Sequence, residues 1–483
     1  MLRPPSTAVT IGLGVAGLLV IIVAAKGLAD SDLFWHLKTG ELIVTNRSVP
    51  SVDPFSFTWG GQPWTPHEWL SEVLIYLSVG RIGPTAGLIG FGMLAGAIVL
   101  VLAMDLGRQG ARPMAIGLAA LLAGWLLVPY VTVRPQVLSW LLMAILIVFL
   151  RRLGPDHPRR ALWLWPLFIL WANLHGLWVV GLGAVGVYVL FSLAGRTAMS
   201  TGSARTWLLV AALGCGLAVM LTPAGPAGIL YPLRYIDAGD WGLANILEWQ
   251  SPDFHDPAHW GLLAMIVVLG TVGTRRAPGW MATLAWLGVV MSLVSLRNAP
   301  LLAVWGLPVI ALAITDHWPA REDRPVPASQ ARTRRWMEFV TALVVVIGGA
   351  AVVIPRTTAL NIEANVARKF PQAGLDRLLE ISPNPRLLAE YGWGGYSVYR
   401  IFDSGGQVFI DGRNDMYDQS ILDDYSAIRD ADPGWRELLA DYQVEAMLWP
   451  PTVALTRVLA ETGDWCEVYR DDHQVLYLPE CPP

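Results

Sequence analysis

The sequence predicts a polytopic α-helical membrane protein, with about eleven transmembrane helices and a small C-terminal extracytoplasmic α/β domain. Three observations predict it. Apolar residues make up 54% of the chain and charged residues only 15%, where a soluble domain carries roughly 25% charged. The mean hydropathy is +0.47. Long apolar runs recur as far as about residue 354, after which the chain becomes polar and mixed in pattern.

A hydrocarbon core of about 30 Å takes roughly 20 residues of helix to cross. Apolar runs that approach this length lie near 8–28, 84–104, 113–131, 136–150, 161–175, 177–195, 207–223, 259–273, 279–296, 299–315 and 337–354. No cleavage site follows the first run, which therefore reads as a retained helix rather than a leader. Many of the 23 tryptophans fall near the ends of these runs, as interfacial anchors do. The connections on one side hold Arg3, Arg108, Arg112, Arg151, Arg152, Arg159, Arg160, Arg196, Arg205, Arg275, Arg276, Arg321, Arg324, Arg332, Arg334 and Arg335. The other side holds only Lys38, Arg47, Arg81, Arg134, Arg234 and Arg297 before the final run. This asymmetry places the N-terminus in the cytoplasm and everything after about 355 outside, in a plasma (inner) membrane. The expected division is a membrane domain over 1–355, with long external loops at 29–83 and 224–258, and an external α/β domain over 356–483. A net charge of −4, with no basic patch, argues against nucleic acid as a partner.

In the external domain, NIEANVARKFPQAGLDRLLE and GWRELLADYQ fit helices. YSVYRIF and QVFID read as strands about a DSGG turn, VEAMLW as a strand, and CEVYRDDHQVLYL as a hairpin. Cys466 and Cys481 flank that hairpin, and a turn near Asp472 would bring them together as a disulfide, which an external domain can keep.

The polar groups at the external helix ends are the candidate site. In DSDLFWHLKTG, Asp30 and Asp32 follow the first span. Two readings are open. Either the acids cap the helix that follows, or one is a general base, or both hold a divalent cation, Mg or Mn, through oxygen. His36 lies four positions after Asp32, on the same helix face; it reads as substrate-binding or as structural. In TPHEWLSEVLIYL, Thr65 and Glu68 fit a capping box with Pro66 at the first helical position, or Glu68 is a further catalytic acid. His67 is not explained by capping and would line the site. Trp69, Leu70, Val73, Leu74 and Leu77 would form the apolar face of a helix in the interface plane. Asp53 reads as a turn residue. Arg134, His175 and Arg297 sit on other external connections. Each alone reads as a snorkelling or capping group, but together they suit a phosphate, since guanidinium groups bind it by paired hydrogen bonds. They are expected to share an external cavity with Asp30 and Asp32. Glu248 would be a second acid over the site, while Asp253, His255 and Asp256 read as a solvated loop. In FIDGRNDMYD, Asp411, Arg413, Asn414 and Asp415 suit sugar hydroxyls, with Trp393 or Tyr417 for stacking; the other reading is a charged, turn-rich edge.

The apolar first helix, the acid pair at its external end, the long first loop and the external C-terminal domain resemble the GT-C class of integral-membrane glycosyltransferases. DSDLFWHLKTG, VDPFSF, HEWL, WANLHG, EWQSPDF and GWGGY…IDGRNDMY resemble, over nearly the whole chain, a bacterial group of membrane proteins. The GT-C resemblance implies a polyprenyl-phosphate-linked sugar donor, and Asp30 or Asp32 as the first-loop catalytic acid. It implies an unknown glycan, lipid or protein acceptor, and membrane lipids as surroundings. No WWDYG-like segment occurs, which argues against asparagine as acceptor. The alternatives are a transporter or flippase for a lipid-linked glycan, or a non-catalytic cell-envelope assembly protein.

Overall fold

The structure is a computed structural model and describes residues 6–231, 239–274, 276–317, 328–353 and 358–482. Arg3, Arg234, Arg275, Arg321 and Arg324, which helped to set the predicted orientation, lie outside the described residues. The chain forms two compact units. One comprises Met1–Lys26, Thr85–Ile229 and Ile246–Thr357, the other Gly27–Pro84, Leu230–Asn245 and Thr358–Pro483.

The first unit is helical. A helix occurs at each of the eleven segments singled out above. Among the described residues, four helices are long and apolar enough to cross a membrane: Thr7–Lys26, Pro84–Arg108, Pro135–Arg152 and Leu296–His317. Five more apolar helices among the described residues, such as Pro113–Leu127 and Gly279–Val294, run 10 to 17 residues. At about 1.5 Å per residue these fall short of a full hydrocarbon core. The helix Ala299–His317 is apolar on all sides and buried along nearly its whole length, Pro308 included. It packs against Pro113–Leu127, Trp260–Val272 and Gly279–Val294, as an all-apolar helix must to find cover within a bundle. The buried Asp105 receives Arg151 and also Arg152, whose Nε and Nη2 donate at 2.9 and 2.7 Å.

The second unit joins the first long loop to the C-terminal residues. Helix α1 (Leu33–Asn46) and helix α2 (Trp69–Ile75) come from the loop, and α3 (Gly239–Asn245) from the second loop. The C-terminal residues supply α4 (Ala359–Lys369), α5 (Gln372–Ile381), β1 (Arg386–Ala389), α6 (Gly394–Ile401), β2 (Gln407–Val408), α7 (Gln419–Asp430), α8 (Trp435–Asp441), β3 (Ala446–Trp449), α9 (Ala454–Thr462), β4 (Cys466–Arg470) and β5 (Val475–Leu478). The sheet order is β2-β1-β3-β5-β4, with β1 parallel to β2 and β3, and β5 antiparallel to β3 and β4. Cys466 and Cys481 form the disulfide, with Cα atoms 5.1 Å apart.

Two readings are corrected here. NIEANVARKFPQAGLDRLLE is two helices, because Pro371 has no N–H to continue the first. YSVYRIF belongs to helix α6, not a strand. Gly394 and Gly395 let the start of α6 approach other backbone: a Cβ at Gly394 would lie 2.7 Å from Asp411 Cα, and one at Gly395 2.6 Å from Ser31 O. As a helix the segment turns Tyr396 onto Phe34 and Phe370, at ring separations of 4.8 and 5.0 Å.

The VDPFSF segment adds to the sheet edge. Val408 N–H donates to Phe55 O, and Phe57 N–H to Val408 O, both at 3.0 Å. Asp53 makes the expected turn, accepting from Phe55 N–H at 3.0 Å and Ser56 N–H at 3.1 Å. It also does more. Arg413 places Nη1 2.8 Å from Asp53 Oδ1, and its Nε and Nη2 donate to Asp411 at 2.8 and 2.6 Å. The guanidinium stacks over Phe55 and Trp64, and Tyr417 donates to Asp411 at 3.2 Å. Asp53, Asp411, Arg413 and Tyr417 are all buried. The sugar-binding reading of Asp411 and Arg413 is therefore corrected: they are the internal tie between loop and domain. Trp393 and Tyr417 are buried as well and offer no free stacking face.

Removing one partner of a buried ion pair strands the others. Arg413→Met should therefore cost about 3–5 kcal/mol, read as a large loss of thermal stability of the purified protein in detergent. A shift no larger than that of a surface arginine variant would show that the tie is not structural.

Candidate active site

Helix α1 begins immediately after the acid pair. Asp32 occupies its N-cap position, yet the carboxylate makes no capping bond. Asp30 Oδ1 instead accepts from Asp32 N–H at 3.0 Å, which fixes the turn. The capping reading of Asp32 is thereby corrected. The carboxylate lies against Gly412, where any Cβ would overlap it, and Trp35 Nε1 is 3.1 Å from the same point. Trp35 Nε1 is buried without a hydrogen-bond partner. The tie through Asp411 and Arg413 on either side of Gly412 therefore seats Asp32.

Gly40 performs a second close approach. A Cβ there would lie 2.6 Å from Glu72 C and 2.8 Å from Tyr76 Cβ, so the backbones of α1 and α2 meet. One turn earlier, His36 is thereby pressed between two acids. Its Nε2 is 3.6 Å from Glu68 Oε2 and its Nδ1 is 3.5 Å from Glu72 Oε1. Glu68 directs its other oxygen at His67, with Oε1 3.4 Å from Nε2. The capping box is corrected: α2 begins at Trp69, and Glu68 makes no side-chain cap. The His67 ring stacks against Tyr231 at 4.2 Å. On the outer face of this segment Leu74 and Leu77 are exposed, while Glu72 and Ile75 are buried.

The charges interact. Burial disfavours a proton on His67, but the neighbouring Glu68 and then Asp415 more than offset this, so its pKa is raised. Burial pushes Glu72 up, against the pull of His36. Asp415 is pushed up to about 6 by burial, against His67 and with help from the negative charges of Glu68 and Asp32. Its Oδ2 is buried without a hydrogen-bond partner. Glu72, Gly412 and the burial of Asp415 were not singled out from the sequence. A signal for Glu72 was present: it lies four residues after Glu68 in a helical segment, hence on the same face.

The remaining candidates belong to the helical unit. Arg134 is ion-paired with Glu248. Glu248 O accepts from Ser295 Oγ at 3.0 Å, and Gln250 O from Leu296 N–H at 3.0 Å, so the turn carrying Arg297 is bonded to the same loop. His175 is buried at a helix end, where its Nδ1 lies 2.9 Å from Ser139 Oγ and accepts from Leu177 N–H at 3.1 Å. Asp253 and His255 pair with each other in solvent, and Asp256 caps the turn Pro257–His259. Among the described residues no three His, Cys, Asp or Glu side chains converge as a cation site. If a Mg or Mn ion binds, Asp30 and Asp32 are the carboxylates that would hold it, with waters and substrate oxygens completing the shell; no step below is routed through a cation.

No family profile and no curated protein matches the sequence. Two solved structures share its architecture. ArnT from Cupriavidus metallidurans, bound to undecaprenyl phosphate, is 14% identical over 97% of each chain, with a TM-score of 0.53. The archaeal oligosaccharyltransferase AglB from Archaeoglobus fulgidus, in complex with an inhibitory peptide and a dolichol-phosphate, is 10% identical over 94% of this chain and 70% of its own, with a TM-score of 0.57. The chain shares the fold of these two structures. The chain is a multi-pass membrane protein with a small C-terminal sheet.

A folded-state pKa above the ordinary 3.8 means that the folded protein holds the Asp415 proton more tightly than the unfolded chain does. The stability this contributes is present at low pH and is lost as the pH rises through about 6. Asp415→Asn removes the charge that opposes folding above that value. Its melting temperature should exceed that of the parent under mildly alkaline conditions and match it under acid conditions. An equal offset at every pH would contradict this account of Asp415.

Proposed function

We propose that the chain is an integral-membrane glycosyltransferase of the plasma membrane, which moves a sugar from a polyprenyl-phosphate-linked donor to an extracytoplasmic acceptor. The observation that carries this reading is the uncapped Asp32 carboxylate. It is seated on Gly412 at the end of the first span, beside Trp35 Nε1 and close enough to influence Asp415. The GT-C-like fold, shared with proteins solved with undecaprenyl phosphate and a dolichol-phosphate, supports the donor class.

An acceptor hydroxyl loses its proton to Asp32, with Asp30 holding the turn, and attacks the anomeric carbon. The bond from that carbon to the lipid phosphate breaks, and the phosphate leaves as an anion. The residues expected to bind a phosphate, Arg134, His175 and Arg297, lie in the helical unit, where Arg134 pairs with Glu248. Direct displacement inverts the sugar. His36, His67 and Glu68 line the acceptor side. The N-terminus is cytoplasmic and residues after about 355 are outside, where the Cys466–Cys481 disulfide is stable.

Asp32→Asn keeps the shape but cannot take a proton. It should lower transfer from a polyprenyl-phosphate sugar by roughly 10²–10⁴-fold, with the thermal stability of the purified protein retained. Undiminished transfer would remove Asp32 from the role of base.

A further inference from the structure

Four side chains of the first loop alternate between carboxyl and imidazole. The order is His67, Glu68, His36, Glu72, with successive gaps of 3.4, 3.6 and 3.5 Å. Glu68 spends one oxygen on each histidine, Oε1 on His67 and Oε2 on His36. His36 spends one nitrogen on each glutamate, Nε2 on Glu68 and Nδ1 on Glu72. Side-chain exposure falls along the same order, from 18% to 7%, 3% and 1%, so the chain opens to solvent at His67 alone. At the closed end His36 Nδ1 and Glu72 Oε2 are buried without a hydrogen-bond partner. Packing does not require this alternation; two apolar residues would fill the crossing of α1 and α2 more favourably than two acids and an imidazole.

We propose that these four residues form a proton relay in which Glu72, a residue with no role in the transfer step itself, stores the proton taken from the acceptor. This rests on the transferase reading. At rest His67 carries its proton on Nε2 and His36 on Nδ1, and Glu68 and Glu72 are ionised. A proton arriving at His67 Nδ1 sends the Nε2 proton to Glu68 Oε1. The Glu68 carboxyl group turns to pass that proton to His36 Nε2 and is ionised again, and the His36 Nδ1 proton passes to Glu72 Oε1. One proton enters and one carboxylate is neutralised. Each gap is slightly longer than a hydrogen bond and closes as the proton moves, as catalytic hydrogen bonds do. The groups facing the open end are Asp415 and Tyr231. Burial, which raises Glu72 above the ordinary glutamate range, makes it the better store. The stored proton leaves by the same path after product release.

The test needs no substrate. Purified protein is jumped from mildly alkaline to mildly acidic pH, and the infrared band of protonated carboxyl groups is followed in time. The relay predicts a component that Glu72→Gln removes and that His36→Gln slows by roughly tenfold or more, the scale of a lost proton-transfer partner. Glu68→Gln, which cuts the relay nearer the surface, should slow it likewise and serves if His36→Gln does not fold. A component that survives Glu72→Gln, or one that equilibrates at the parental rate in both wire variants, overturns the relay. In parallel, Glu72→Gln should lower kcat for sugar transfer with KM for the donor unchanged, and Glu72→Asp should restore part of it. If the infrared kinetics behave as stated but the parent protein transfers no sugar, the function proposed above fails and the relay stands.

Discussion

The second unit depends on one buried cation. Arg413 holds Asp53 from the first loop and Asp411 from its own turn, with Phe55 and Trp64 covering the faces of the guanidinium. Burial works against the charge, and the two carboxylates more than outweigh it, so Arg413 titrates well above even the ordinary arginine value. A planar fork with fixed donors suits this task, and a lysine point charge could not satisfy both acids in the same way. The tie joins residues 360 positions apart, counting from 53 to 413. It determines where Gly412 lies, and Gly412 in turn determines where the Asp32 carboxylate lies.

The same unit shows how close backbone approach positions chemistry. Gly412 admits Asp32, Gly394 and Gly395 admit the Asp30–Asp32 turn and the Ile410–Asp411 backbone to the start of α6, and Gly40 admits α2 to α1. At Gly412 the missing side chain leaves room for a charged one, and at Gly394, Gly395 and Gly40 it leaves room for the backbone of another segment. Lys38 follows a similar logic. It is buried, yet it stays charged because Asp403 and Glu41 accept from its Nζ at 2.9 and 2.7 Å. A stretch that reads as a plain membrane-exit segment is thus wired into the C-terminal domain by Lys38, Trp35 and Phe34 within one helix.

Much of this was legible in the sequence where the signal is local. Apolar runs located the helices of the first unit, since burial in lipid or bundle writes itself into composition. VEAMLW and the CEVYRDDHQVLYL hairpin were legible for the same reason, and so was the cysteine pair that a short hairpin brings together. YSVYRIF was not: over so few residues an alternating pattern and a helical one coincide, and the closeness of Ser31 and Asp411 decided for helix. Asp32 and Glu68 were both open to a capping reading, because acids before helices usually cap. Here another neighbour took each carboxylate instead: the distant Gly412 for Asp32, and for Glu68 the distant His36 together with the adjacent His67. The partnership of Asp53 with Arg413 was illegible, since nothing local to either residue announces a partner so distant in the chain.

The central claim is that the cradle between the Asp30–His36 turn and the Asp411–Asp415 turn receives the reacting end of a lipid-linked sugar. It can be tested by labelling. A polyprenyl-phosphate sugar bearing a photoreactive group on the sugar is bound to the purified protein, irradiated, and mapped by mass spectrometry. The account predicts label on residues 30–36 or 411–415 that unlabelled donor competes away. Competed label confined to other segments, or no competed label at all, would contradict it.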